Sequence, residues 1–138
     1  MFRRLRRALS LVALATLASA GCETTTSPPN NEDPPDPINL SFTGTLTLNS
    51  SAIHRFTAGP GEINVRLKVL APVETVVIGI DLGVWTGASC NIVISDDNAV
   101  FNALLIGTAT ASGEFCARVY DAGKLTDVTN YQIDVTHF

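Results

Sequence analysis

From Ile38 onward the apolar side chains of this chain recur at every second position, not at the three-and-four spacing of a helix. A period of two places successive side chains on opposite faces of an extended strand, so a long stretch of it restricts the fold to sheets. In Leu40-Ser41-Phe42-Thr43-Gly44-Thr45-Leu46-Thr47-Leu48 the apolar residues and Gly44 share one face, while Ser41, Thr43, Thr45 and Thr47 share the other. Within Val76–Trp85 the same pattern points Val76, Ile78, Ile80, Leu82 and Val84 inward and Gly79, Asp81, Gly83 and Trp85 outward. Further strands are expected over Ile53–Thr57, Ile63–Val69, Cys90–Ile94, Val100–Ile106, Phe115–Tyr120 and Tyr131–His137. Asn49-Ser50-Ser51, Gly59-Pro60-Gly61 and Asp96-Asp97-Asn98 read as turns between them. Seven or eight short strands with regularly spaced turn signals predict an all-β domain over residues 39–138, with two antiparallel sheets packed as a sandwich.

The residues ahead of this domain are of a different kind. Arg3, Arg4, Arg6 and Arg7 precede an apolar run, Ala8 to Ala20, that ends in small residues. That run falls short of the roughly 20 apolar residues a membrane-spanning helix needs, and the order matches a secretory signal peptide over residues 1–21. Ser19-Ala20-Gly21-Cys22 resembles a lipobox, which implies that Cys22 is diacylated, palmitate included, and becomes the mature N-terminus. Ser19 stands where most lipoboxes carry an aliphatic residue, so cleavage by the ordinary signal peptidase after Ala20 or Gly21 stays open. Residues 22–38 form the expected linker. Glu23–Pro37 holds no aliphatic or aromatic side chain and five prolines, a composition that favours an extended, unfolded tether. The expected address is the bacterial cell envelope: an exported protein held to a membrane through Cys22, at the outer membrane with the domain in the periplasm or at the surface.

Setting Cys22 aside leaves Cys90 and Cys116, an even number in an oxidising compartment, and predicts a disulfide between them. Removal of the four leader arginines from nine basic residues, against thirteen acidic ones, leaves a mature charge of −8. So acidic a surface repels phosphate backbones, which argues against nucleic acid as a partner and suits cationic partners or metal ions better; the expected ligand of the domain is a protein or a glycan.

Three segments, Phe42-Thr43-Gly44-Thr45-Leu46, Arg55-Phe56-Thr57-Ala58-Gly59 and Ile63-Asn64-Val65-Arg66-Leu67, resemble the opening of bacterial pre-peptidase C-terminal (PPC) domains. Gly113-Glu114-Phe115-Cys116-Ala117-Arg118-Val119-Tyr120-Asp121 with Tyr131-Gln132-Ile133-Asp134-Val135 is similar to the closing strand pair of that family. The resemblance implies a jelly-roll-like sandwich of the kind that trails secreted proteases and, in some members, binds matrix proteins or calcium. No segment matches the family's calcium cluster, so no metal ligand is carried over.

Few residues suggest chemistry. Asp96 and Asp97, with Asn98, could offer oxygen ligands to Ca²⁺, although Asp and Asn are equally the residues of a plain turn. Trp85, outward between Gly83 and Gly87, could stack on a sugar or a partner's side chain, and Asp81 on the same face could bond a sugar hydroxyl or be solvated. His54 and His137 are read as strand residues at the surface, with His137 at the core's edge. The sequence has no Gly-x-Ser-x-Gly elbow, and its carboxylates are scattered over turns. The connection from Asp121 to Thr126 is the kind of sandwich-end loop that forms binding surfaces. The expected activity is therefore non-catalytic: a binding or adhesion module without a cofactor, or a structural envelope component that self-associates.

Overall fold

A computed structural model of the chain describes residues 33–138. The expected signal peptide, the Cys22 anchor and the linker up to residue 32 lie outside the described residues. Eight strands follow: β1 (Ile38–Leu46), β2 (Ser51–Ala58), β3 (Gly61–Ala71), β4 (Ile78–Trp85), β5 (Cys90–Ala99), β6 (Leu104–Ala109), β7 (Gly113–Tyr120) and β8 (Thr129–His137). They form two four-stranded sheets, in the orders β1-β8-β3-β6 and β2-β7-β4-β5, with every pairing antiparallel.

The order has a simple origin. β1 pairs with β8, β2 with β7, β3 with β6 and β4 with β5, so the second half of the chain returns along the first in reverse order, as one long hairpin closed at β4–β5. Rolling that hairpin brings β8 against β3 and β7 against β4, and the jelly roll results. The inward positions of the alternation then meet between the sheets. Leu46, Ile63, Val65, Leu67, Ile133 and Val135 from one sheet pack against Phe56, Ile78, Ile80, Leu82, Ala117 and Val119 from the other.

The structure corrects three expectations. Asp96-Asp97-Asn98 is no turn: it lies in β5, where the register against β4 slips between Ile78 and Ile80 and a bulge absorbs the extra residue. The chain reverses a few residues later, at Phe101-Asn102, where Asn102 takes a φ of 69°, and β6 accordingly begins at Leu104 instead of Val100. Val84, expected to point inward, lies just past a second slip, between Leu82 and Gly83, and stays 44% exposed.

The predicted Cys90–Cys116 disulfide is present. It joins β5 to β7 although β4 lies between them, because the start of β5 folds over the outer face of β4 at Gly83, where a Cβ would strike the Asn91 carbonyl. The absent side chain at that one position permits the crossing. Because the bridge closes a loop with a sequence separation of 26, replacing both cysteines with alanine is expected to lower stability by about 3 kcal/mol. Calorimetry checks this; an unchanged melting temperature would show that the bridge is dispensable.

Candidate functional site

The outer face of the second sheet carries the residues that the alternation singled out. Cross-strand register sets Ile53 of β2, Arg118 of β7 and Asp81 of β4 in one row. Asp81 is 0% exposed, not solvated as the sequence suggested. Gly79 and Gly83 flank it on the same face and leave β4 bare enough for the long side chains of β7 to lie across it. The Arg118 Nε donates to Asp81 Oδ2 at 2.5 Å, and its Nη2 pairs with the same oxygen. The Arg118 guanidinium also stacks 4.6 Å from the centre of the Tyr120 ring, which lies over Gly79, and the Tyr120 hydroxyl donates to Asp97. Burial, the bond to Asp97 and the carboxylates of Asp81 and Asp97 hold the Tyr120 phenol well above its ordinary range. At the far end of β4, Trp85 is half-buried with the Arg55 guanidinium 4.9 Å above its ring. The face is thus paved by two cation–aromatic stacks. Asp81 is sealed beneath one, Trp85 lies in the other, and the disulfide at Cys116, opposite Gly83, stands between them, so the two do not converge on one ligand position.

The acidic pair of β5 is engaged as well. Asp96 Oδ1 accepts from the Asn98 backbone at 2.9 Å, Asp97 accepts from Tyr120, and Asn98 Oδ1 accepts from the Lys124 ammonium. Among the described residues no group of three His, Cys, Asp or Glu is placed to hold a metal ion. His54 is half-buried between the sheets, stacked on Phe42 at 4.9 Å, with its Nε2 2.8 Å from the Tyr131 hydroxyl; burial lowers its pKa. His137 is buried at the core's edge against Phe56.

The ends of the sandwich differ. Ile38 opposite His137 and Ala58 opposite Gly113 mark the end at which the chain enters. Leu46 opposite Thr129, Ala71 opposite Asn130 and Ser51 opposite Tyr120 mark the other, which gathers the β1–β2 turn, the β3–β4 loop and the β7–β8 loop. One carboxylate organises this end. Asp121 Oδ1 accepts from the backbone N–H groups of Gly123, Lys124 and Leu125, and Oδ2 accepts from Asn49 N at 2.8 Å, which ties the long loop to the β1–β2 turn. These bonds, that from Asn49 first, depress the Asp121 pKa. Lys124 then reaches the end of β5, with its Nζ 3.3 Å from the Asp97 carbonyl.

Between this braced loop and the β3–β4 loop runs a groove of about 330 Å³, lined by the apolar residues Val73, Val76, Leu125 and Val128, with Lys124 and Asp127 at its polar rim. A mostly apolar cleft with a few polar groups is the form that ligand sites usually take. The sequence singled out Asp121–Thr126, but it did not reveal the opposite wall at Val73 and Val76, which lies some fifty residues earlier and meets the loop only once the sheets are rolled. The available signal was aliphatic residues stranded in polar loops, with Val73 and Val128 both exposed.

No family model and no curated protein matches the sequence. Among solved structures the chain is similar to the Yersinia pseudotuberculosis-derived mitogen, with 17% identity over 75% of this chain and 88% of that one, at a TM-score of 0.57. It is also similar to PliG, a periplasmic inhibitor of g-type lysozyme from Aeromonas hydrophila, with 14% identity over 71% of this chain and 84% of that one, at a TM-score of 0.49. At such identity the likeness to the mitogen is one of fold.

Two variants separate the roles of these charges. Arg118→Ala leaves a buried carboxylate without its partner and is expected to destabilise the domain by about 3 kcal/mol; the double change Arg118→Ala with Asp81→Val should recover most of that loss in urea titrations. Asp121 has a folded-state pKa below its ordinary 3.8, so its contribution is complete above that value and disappears as pH falls through the folded pKa. Asp121→Asn is therefore expected to be less stable than the parent at pH 7, with the difference closing only as pH falls below the ordinary carboxylate value and through the lowered folded-state pKa.

Proposed function

We propose that this chain is a non-catalytic lipoprotein of the bacterial envelope, anchored through Cys22, whose PPC-like sandwich binds a protein partner at the groove between the β3–β4 and β7–β8 loops. The groove carries this reading. Its apolar lining of Val73, Val76, Leu125 and Val128 suits aliphatic or aromatic side chains of a protein, and Lys124 and Asp127 offer orienting polar contacts at the rim. A glycan would want exposed aromatic platforms, whereas Trp85 already stacks with Arg55 away from the groove. Position supports the reading too, since the groove lies at the end of the sandwich opposite Ile38, where a domain tethered through its N-terminal side presents itself to other molecules. On this reading the leader, the anchor and the acidic surface serve delivery and solubility, and no group of the domain performs chemistry.

Intact mass spectrometry of the membrane-extracted chain tests the anchor: a mass beginning at Cys22 plus acyl chains is expected, and an unacylated mass beginning elsewhere would make it a freely secreted domain. For the groove, Val128→Asp is expected to weaken retention of the purified chain on isolated envelope proteins by about tenfold, the scale of a lost apolar anchor, without changing its melting temperature. Equal retention by parent and variant would place the binding surface elsewhere.

A further inference from the structure

The sandwich has four free strand edges: β1 and β6 in one sheet, β2 and β5 in the other. Proteins blunt such edges with charges, prolines or bulges, because unpaired N–H and C=O groups recruit other strands. β2 carries Arg55, and β5 carries Asp96, Asp97 and two register slips. β1 turns Asn39, Ser41, Thr43 and Thr45 outward. β6 has none of these. From Asn98 to Gly113 the sequence contains no charged residue and no proline, and β6 pairs with β3 in unbroken register. Its outward side chains are Leu104, 39% exposed, Ile106, 51% exposed, and Thr108. Beside it opens a small apolar cleft lined by Val84, Phe115 and the bulged Val93, itself 70% exposed.

We infer that the β6 edge pairs antiparallel with the β6 edge of a second copy, joining two four-stranded sheets into one continuous sheet across a two-fold axis at Ile106. Charge selects both the occupant and the register. In β3, Arg66 stands opposite Leu104, Asn64 opposite Ile106 and Glu62 opposite Thr108. A two-fold axis at Ile106 faces Ile106 with its own copy and Leu104 with Thr108 of the second copy. The outer rows then run Arg66, Leu104, Thr108, Glu62 and, symmetrically, Glu62, Thr108, Leu104, Arg66, so each arginine shares a row with a glutamate of the other copy, around a central pair of isoleucines. The self-complementary face is what an isologous dimer requires. In an acidic chain, an uncharged edge meets little repulsion from its own copy, and of the two uncharged edges, β1 and β6, it is β6 that turns aliphatic side chains, Leu104 and Ile106, outward. The pairing would lay the second copy beside the cleft at Val84 and Val93. It leaves the loop-end groove of each copy uncovered and does not depend on what that groove binds.

Antiparallel copies point their loop ends in opposite directions.

Cross-linking of the full-length chain in its membrane tests the interface. Ile106→Cys places a thiol on the axis and is expected to give a dimer that reduction dissolves, whereas the parent chain and the exposed β2 variant Thr57→Cys stay monomeric on non-reducing gels. Adding Arg66→Glu to Ile106→Cys should cut the cross-linked yield several-fold, and adding Glu62→Arg as well should restore it. Cross-linking no greater than that of Thr57→Cys, in a variant whose melting temperature matches the parent, would overturn the proposal, as would failure of the double charge exchange to restore the yield. Adding Val128→Asp should leave the cross-link unchanged, which separates this interface from the groove.

Discussion

Four of the six β pairings in this domain follow from one constraint, that the second half of the chain lies along the first in reverse, and rolling that long hairpin adds the other two. The partners farthest apart in sequence, β1 and β8, are therefore edge and neighbour in one sheet, and only β4 and β5 are joined locally. Long-range pairing of this kind demands loop closure before it returns hydrogen bonds or burial, so it forms slowly and is entropically costly. The disulfide acts at the cheapest point in that process. It fastens the closed end of the long hairpin onto β7, the strand that must cross from one arm of the hairpin to the other for the roll to form. The ion pair of Asp81 with Arg118 lies on the same β4–β7 seam and adds a specific polar contact to a join made mainly by Ile80, Leu82, Ala117 and Val119.

The strands were legible in the sequence because each is half-buried, and alternation reports half-burial directly. Tyr131–His137 shows why this works: every odd residue faces the core and every even one faces solvent. What alternation does not report is cover. Asp81 was placed on the correct outer face and still given the wrong environment, since period two says on which side a carboxylate lies and nothing of the arginine from β7 that closes over it. Composition misled in the opposite sense at Asp96-Asp97-Asn98. Three residues with strong turn preference were held in a strand because a bulge accommodates them and Tyr120 and Lys124 bind their oxygens. Half of the groove could be found by inspection of one loop, but its other wall could not, because contact between residues near 75 and residues near 127 exists only in the rolled topology.

The same topology decides where binding can occur. Both outer sheet faces are largely satisfied internally: Ser41 and Gln132 donate to Asp134, Thr136 donates to Asn39, and the opposite face is covered by its cation–aromatic stacks. The Asp134 carboxyl is accordingly held below its ordinary range, by the Ser41 bond first. A ligand laid on either face would have to displace bonds already made and would gain little from the exchange. The two buried side-chain polar atoms without a hydrogen-bond partner among the described residues, Asp81 Oδ1 and His137 Nε2, are sealed from solvent, and accessible apolar or main-chain capacity remains at two kinds of place. One is the loop end, where aliphatic side chains line a cleft, one wall of which, the β7–β8 loop, the Asp121 carboxylate ties to the β1–β2 turn. The other is the β6 edge, where backbone groups and exposed aliphatic residues coincide without the charges of β2 and β5 or the polar outward row of β1. The groove offers shape and apolar area to a foreign side chain, while the edge offers main-chain pairing in a register that its own flanking charges define. On the proposed reading the two surfaces are separate, because the β6 edge lies on the far side of β3 and β8 from β1, whose turn into β2 is tied to the β7–β8 loop by Asp121.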